Sequence, residues 1–382
     1  MYLIAICIYK PSGRRPGRRY GYGKENAMKK MLILLLAAVM CASVCACGAA
    51  GKSPSPDGTR EFTDSLGRTV TLPAEVKTIA VTGPLTQMYV LPLCPELMVG
   101  FSKAFTEDAA KYIPEEYLSL PELGQLYGGK GTMDLEALLL AAPDVVIDVG
   151  DAKDGMAEDL DRLSEQTGIP FVHIDGSVTT AADAYRMLGL LTGKTEKAEA
   201  LAVWCETTLS DINDLMARVD ADGARKKIIY CLGEKGFNCM AEGSYHAETV
   251  NMMGDNAAKL DDVTASGAGN EVDMEQLILW DPDVIFFDVN SAYGVAGSDP
   301  AWLQLSAVRN GEYYEAPYGP YGWLSSPPSV QRYLGLIWMA QVLYPEYVDF
   351  DLKTKVTEYY KLFYDYDLSD ADYEFLTRNA LK

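Results

Sequence analysis

The sequence predicts an α/β fold of two similar lobes, each carrying a mainly parallel sheet, joined by one long helix. Three observations predict it. A twelve-residue segment recurs at an offset of 139 residues, apolar strand-like runs alternate with helical segments in both halves, and a long amphipathic stretch lies between the halves. The 382 residues suffice for one large domain or two ordinary ones, and 48% hydrophobic with 23% charged residues is a globular composition. With 33 Lys plus Arg against 54 Asp plus Glu, the formal net charge of -21 argues against nucleic acid as a partner, because phosphates need cations. Only His173 and His246 are available as imidazoles, which excludes HExxH hydrolases and multi-histidine zinc cages.

Residues 1–46 read as leader and signal peptide. Lys29 and Lys30 precede the apolar run Met31–Ala42, which is too short for a bilayer span of about 20 residues and ends in small residues, as export signals do. Met28 is the expected true start, since Lys24-Glu25 can be a translated ribosome-binding site. Val44-Cys45-Ala46-Cys47-Gly48 resembles the bacterial lipoprotein box: small Ala46 admits the peptidase and Cys47 supplies the thiol that takes the lipid. Residues 47–60 are then a lipidated Pro/Ser/Gly tether. Of the remaining cysteines, Cys94 and Cys205 have no metal-ligand spacing. Cys231 and Cys239 are read as buried thiols, a bridge between neighbouring strands being the alternative.

The first lobe is expected over 61–194, with strands at Ile79–Thr82, Leu97–Gly100, Val145–Val149 and Phe171–Ile174. Thr195–Val219 keeps apolar residues at 3–4 spacing, and a helix over that stretch is roughly 37 Å long, enough to bridge two lobes. The linker is therefore set at 195–222 and the second lobe at 223–382, with strands at Lys227–Cys231, Val284–Asp288 and Tyr313–Ala316. The repeat ties the halves together. Asp134–Val145 and Asp273–Val284 align without gaps and share seven of twelve residues, each copy being a short helix ended by Pro143 or Pro282 and followed by a strand.

These features, in this order, resemble the helical-backbone class of ABC-transporter solute-binding proteins, which take up ferric siderophores, haem, cobalamin and some oxyanions. Phe62–Pro73 is similar to that family's N-terminal hairpin, a D-x-x-G-R-x-V-x-x-P pattern. Met133–Val149 and Val272–Asp288 resemble its paired lobe motif, and Gly243–Val250 with Met253–Asn256 its second-lobe helix and turn. Gly322–Ser329, the helix reaching Leu343-Tyr-Pro345 and the tail Tyr359–Tyr364 resemble the iron-complex and cobalamin subgroup. The resemblance implies an extracytoplasmic, lipid-anchored monomer that captures a chelated metal in a cleft between lobes and passes it to a permease and its ATPase, with no cofactor of its own.

Ligands of such folds lie at the carboxyl ends of the strands. Gly83-Pro84 ends the first strand and opens a helix whose free N–H groups favour an anionic group. Tyr127 and Lys130 flank the glycines of Tyr127–Gly131, which is not a phosphate loop. His246, just inside a helix start, is a possible ligand to an iron or cobalt centre, whereas His173 in an apolar strand reads as structural. Tyr318, Tyr321, Trp323 and Tyr293 are candidate rim aromatics for a flat or greasy ligand. Naked Zn²⁺ or Mn²⁺ is disfavoured for want of histidine. By resemblance, Glu158 and Glu248 are the permease-docking carboxylates, one per lobe. Two rival readings stay open: an oxyanion receptor for molybdate or tungstate on the same fold, and an α/β enzyme, for which no nucleophile elbow or dinucleotide fingerprint appears.

Overall fold

The chain opens with a hairpin of β1 (Thr59–Thr63) and β2 (Thr69–Pro73), antiparallel from Thr59↔Pro73 to Thr63↔Thr69. The D-x-x-G-R pattern is its fastening. Buried Asp64 accepts the N–H groups of Leu66 and Arg68 across the turn, the Arg68 guanidinium at 2.6 Å, and the His173 N–H from the neighbouring sheet. Gly67 has φ 77°, a conformation with little strain only for glycine. The computed structural model describes residues 58–127, 131–325 and 327–382. Cys47, Lys130 and the leader lie outside the described residues, all of which fall in one compact unit.

The first sheet is wholly parallel, in the order β3 (Ile79–Val81), β4 (Val145–Gly150), β5 (Phe171–Asp175), and its central strand is buried along its length. The strand expected at Leu97–Gly100 shrinks to a single bridge, Ile79↔Met98, because Pro95 opens a 3-10 turn that consumes Leu97. Helix α1 (Pro84–Leu93) follows β3. It is glued to β4 by Thr86, whose hydroxyl accepts the Val149 N–H at 2.9 Å.

The repeat is geometric as well as sequential. Helices α2 (Leu135–Ala141) and α7 (Met274–Trp280) are capped by the Asp134 and Asp273 side chains, and each buries one leucine completely, Leu138 and Leu277. Each ends on a left-handed residue, Ala142 or Asp281, before the proline. Asp144 then accepts the N–H groups of Lys77 and Thr78, while Asp283 accepts that of Lys227, so each aspartate ties its strand to the start of the neighbouring one.

Helices α3 (Met156–Thr167) and α4 (Ala181–Thr192) flank the first sheet, and α5 (Thr195–Ala221), 27 residues long, leads to the second half. It is both strut and covering helix. Its buried stripe includes Leu201, Cys205, Ile212, Leu215 and Val219, and it packs on α4 so tightly that a Cβ at Gly189 would sit 2.5 Å from that of Ala198. The second sheet runs β11-β10-β6-β7-β9, from β6 (Lys227–Leu232), β7 (Asn238–Cys239), β9 (Asn270–Glu271), β10 (Val284–Phe287) and β11 (Tyr313–Glu315). The short β8 (Asp255–Asn256) pairs beside β6, after α6 (Glu248–Met253). Strands β11, β10, β6 and β8 are mutually parallel and β7 is antiparallel to β6.

Helices α8 (Arg332–Leu343) and α9 (Leu352–Tyr364), followed by a C-terminal helix at Asp370–Thr377, return to the first half. Helix α8 starts at Arg332, later than the proline pair near 328 predicts. Phe363 meets Tyr185 at 6.0 Å, Tyr360 meets Tyr112 at 5.1 Å, and Trp204 of α5 packs edge-on against Tyr333, Tyr359 and Phe363. One apolar core therefore runs continuously from β3 through α5 to α9, and the two halves share it. Among the described residues no helix is long and apolar enough to cross a membrane.

Candidate functional site

The carboxyl ends of β3 and β4 deliver Gly83 and Asp151; those of β6 and β10 deliver the 233–237 turn and Asp288. Gly83 is extended and caps α1 without any side-chain bond, Pro84 takes the first helical position, and the Tyr127 carbonyl lies close by. The first-turn N–H groups of α1 thus meet no capping side chain. Below them, Asp148 is buried and already committed. Thr82 Oγ1 donates to it and the His173 ring nitrogen Nδ1 lies 2.7 Å away, so His173 is structural.

Lys153, in the exposed loop after β4, lies over the Tyr127 ring at 5.1 Å and pairs with no carboxylate among the described residues. The Tyr127 hydroxyl, however, points inward. Among the described residues it is buried without a hydrogen-bond partner, and burial, with Asp148 nearby, pushes it up to about 12. The Tyr127 phenol is therefore turned away from solvent, while its ring lies under Lys153.

His246 enters from the second half, in a one-turn 3-10 helix, Tyr245–Ala247, capped by the Ser244 hydroxyl. The ring is half-buried, Nδ1 lies 3.1 Å from Ser325 Oγ, and Gly267 sits against the ring edge, where a Cβ would come within 2.9 Å. Its pKa is lowered, first by burial and then by Arg332, with Asp151 opposing and Lys153 adding to the shift. His246 thus stays neutral at pH 7, within electrostatic reach of Asp151 and Lys153 of the first half. A neutral imidazole held by a hydroxyl at one nitrogen is suited to coordinate or accept through the other.

The aromatic loop is placed differently from expectation. Trp323 has no exposed surface and Tyr321 is 8% exposed, so neither forms a rim platform. Tyr321 instead accepts a hydrogen bond from Gln87 Nε2 of α1 at 2.9 Å and meets Phe105 at 5.8 Å. Gln331 fastens the loop by donating to the Gly319 and Tyr321 carbonyls, and the Tyr364 hydroxyl donates to Gln331. The physical reason is the shared core: α9 and α8 close over this loop, so its rings are packing. Tyr318 is half-buried and bonded to Thr106 across the halves, while Tyr293 packs on Tyr313 at 5.5 Å.

Glu248 is also diverted. Its carboxylate pairs with fully buried Arg332 at 2.8 Å and accepts the Val178 N–H from the first half at 3.1 Å. Arg332 donates further to the Tyr245 and Ser329 carbonyls, and the Tyr333 hydroxyl donates to the Val178 carbonyl at 2.5 Å. This cluster is a latch between halves, not a free docking handle. Glu158, by contrast, is exposed in the first turn of α3, beside the end of β4. Sequence reasoning missed Asp151, Lys153, Gln87 and Arg332. The first two stand immediately after a strand end and were findable by that rule, whereas the buried pair was not. Two surface grooves of about 430 and 320 Å³ lie at the C-terminal helices and beside the hairpin, and hold none of the predicted site residues.

Two mainly parallel sheets joined through a long helix, with the candidate residues following the carboxyl ends of their strands, are the architecture against which the chain is compared. The family model "Periplasmic binding protein" matches residues 96–318, and the chain belongs to that family. An ABC transporter solute binding protein from Sulfurospirillum deleyianum superposes with a TM-score of 0.76 at 28% identity, covering 83% of this chain and 99% of that one. The Fe(3+)-citrate-binding protein YfmC of Bacillus subtilis is 25% identical over 295 residues, 75% of this chain and 88% of the relative. The molybdate-binding protein MolA of Haemophilus influenzae is 23% identical over 350 residues, 84% of this chain and 95% of the relative. The chain is thus an extracytoplasmic solute-binding protein of an ABC importer, not an enzyme.

Proposed function

We propose that the cleft captures a metal already held in an anionic chelate, an iron or cobalt complex, and hands it to the permease. The observation that carries this reading is the set His246, Lys153 and the uncapped start of α1, which combines one neutral imidazole with cationic and N–H groups. Such a set suits a metal centre with a negative oxygen shell. The internal position of Tyr321 and Trp323 leaves less aromatic surface for a haem or corrin plane, so a compact ferric carboxylate or siderophore fits better. The similarity to a ferric-citrate-binding protein supports the same choice.

A second reading, a molybdate-type oxyanion, is favoured by one observation, the capless N-terminus of α1 beside Gly83, and by the likeness to a molybdate-binding relative. Calorimetry with ferric citrate, a ferric catecholate, haemin, cobalamin and molybdate separates the two. The expected result is one ferric chelate per chain, weakened tenfold or more by His246→Ala and by Lys153→Gln. Binding of molybdate alone, unaffected by His246→Ala, selects the second reading. No binding of any member sinks both. We also place the lipid anchor on Cys47, for the sequence reason given above, and the first-half permease contact on exposed Glu158. Glu158→Lys should abolish uptake while ligand affinity stays unchanged; normal uptake puts the contact elsewhere.

A further inference from the structure

Cys231 and Cys239 stand directly opposite each other on β6 and β7, with Sγ atoms 3.8 Å apart and no exposed surface. The ladder bond beside them runs from the Met240 N–H to the Tyr230 carbonyl at 3.1 Å, one residue outside the pair on each strand. That pattern makes Cys231 and Cys239 a non-hydrogen-bonded pair. In such pairs the Cα atoms are about 4.5 Å apart and the side chains approach most closely. This lies inside the Cα separation a disulfide needs, about 4.4–6.8 Å. Closing the sulfurs to about 2.05 Å asks for side-chain rotation, not for backbone movement. Among the described residues, Cys94 and Cys205 have no such partner. A protein working outside the cytoplasm meets an environment in which two thiols so placed can be oxidised.

We propose that Cys231 and Cys239 are joined in the exported protein as a structural disulfide that staples the cleft-side turn of the second sheet. The turn between them, with Gly233 and Gly236 both at positive φ, stands at the carboxyl end of β6. The loop leading into β9 rests on the same pair. Gly269 lies so close to the Cys239 backbone that a Cβ would come within 2.9 Å of its carbonyl, and Gly267 two residues earlier supports His246. A bond at Cys231–Cys239 therefore fixes the wall behind the imidazole. Oxidation removes two protons and two electrons from the pair. A disulfide-bonded oxidant, either a thiol–disulfide oxidoreductase or oxidised glutathione, accepts them and leaves as two thiols. Because both thiols are buried in the finished fold, the exchange takes place as the two strands pair, before the core closes over them.

The experiment is alkylation of the mature protein from cell envelopes, acid-quenched, denatured and treated with iodoacetamide without reductant, followed by peptide mapping. The expected map shows adducts on Cys94 and Cys205, with residues 231 and 239 in one linked peptide that separates on reduction. Adducts on all four cysteines overturn the proposal. A second measurement covers loss of the bond during isolation. Reduced protein refolded with oxidised glutathione should acquire the same link and melt several degrees higher than the reduced form, while reductant should leave Cys231→Ala/Cys239→Ala unchanged. Failure to form the link on refolding, or identical melting of both redox forms, overturns it as well.

Discussion

Removing the Glu248 carboxylate tests how much its pairing with Arg332, and the bond it accepts from Val178 of the first half, stabilise the fold. Arg332 has no exposed side-chain surface and Glu248 keeps 20%, at an N–O separation of 2.8 Å. Deleting one partner of a buried pair costs about 3–5 kcal/mol, because the remaining ion stays dry and uncompensated. Glu248→Ala leaves Arg332 with neutral partners, the Tyr245 and Ser329 carbonyls and the Tyr245 hydroxyl and ring, and also orphans the Val178 N–H. Since Glu248 is partly wet, the lower end applies, about 3 kcal/mol. Arg332→Met leaves a carboxylate that can still accept from Val178 and turn toward water, so about 2 kcal/mol is expected. The double variant should cost about 3 kcal/mol rather than the sum, a coupling of about 2 kcal/mol. Urea unfolding at constant m measures all three. Additive losses, or a loss below about 1 kcal/mol for Glu248→Ala, would refute the stabilising pairing of Glu248 with Arg332.

Three further outcomes are expected. The pKa of His246 is lowered below 6.5 in the folded state, so the unfolded chain binds the extra proton first. Its contribution is complete above about pH 6.5 and is lost as pH falls through the lower folded value, so wild type should lose stability relative to His246→Gln on acidification, measured by thermal melts across that range. Trp323→Ala should cost about 3–5 kcal/mol in urea unfolding, as an emptied core site does; a small loss with a large drop in ligand affinity would restore the rim reading. Asp134→Ala and Asp273→Ala should each cost about 1 kcal/mol, because both remove the same helix cap from the two copies of the repeat. A strong inequality between them would show that the copies are not equivalent.

The sequence by itself determined the elements and their repetition. Asp134 and Pro143 with their counterparts at 273 and 282 act within a few residues of themselves, as cap and stop, and the repeated spacing marks Leu138, Asp144, Leu277 and Asp283 beside them. Local geometry of that kind is legible in spacing. The length of α5 and its buried stripe were legible for the same reason. Tertiary structure alone decided what the aromatics and acids at the junction do. Tyr321 and Trp323 sit in a Gly/Pro loop that looks exposed in sequence, yet α9, forty residues later, returns to cover it. Glu248 looks like any surface glutamate in an acidic chain until Arg332, 84 positions away, and Val178, 70 positions before it, converge on its carboxylate. Neither outcome can be read from spacing, because burial and pairing depend on which distant segments the shared core brings together.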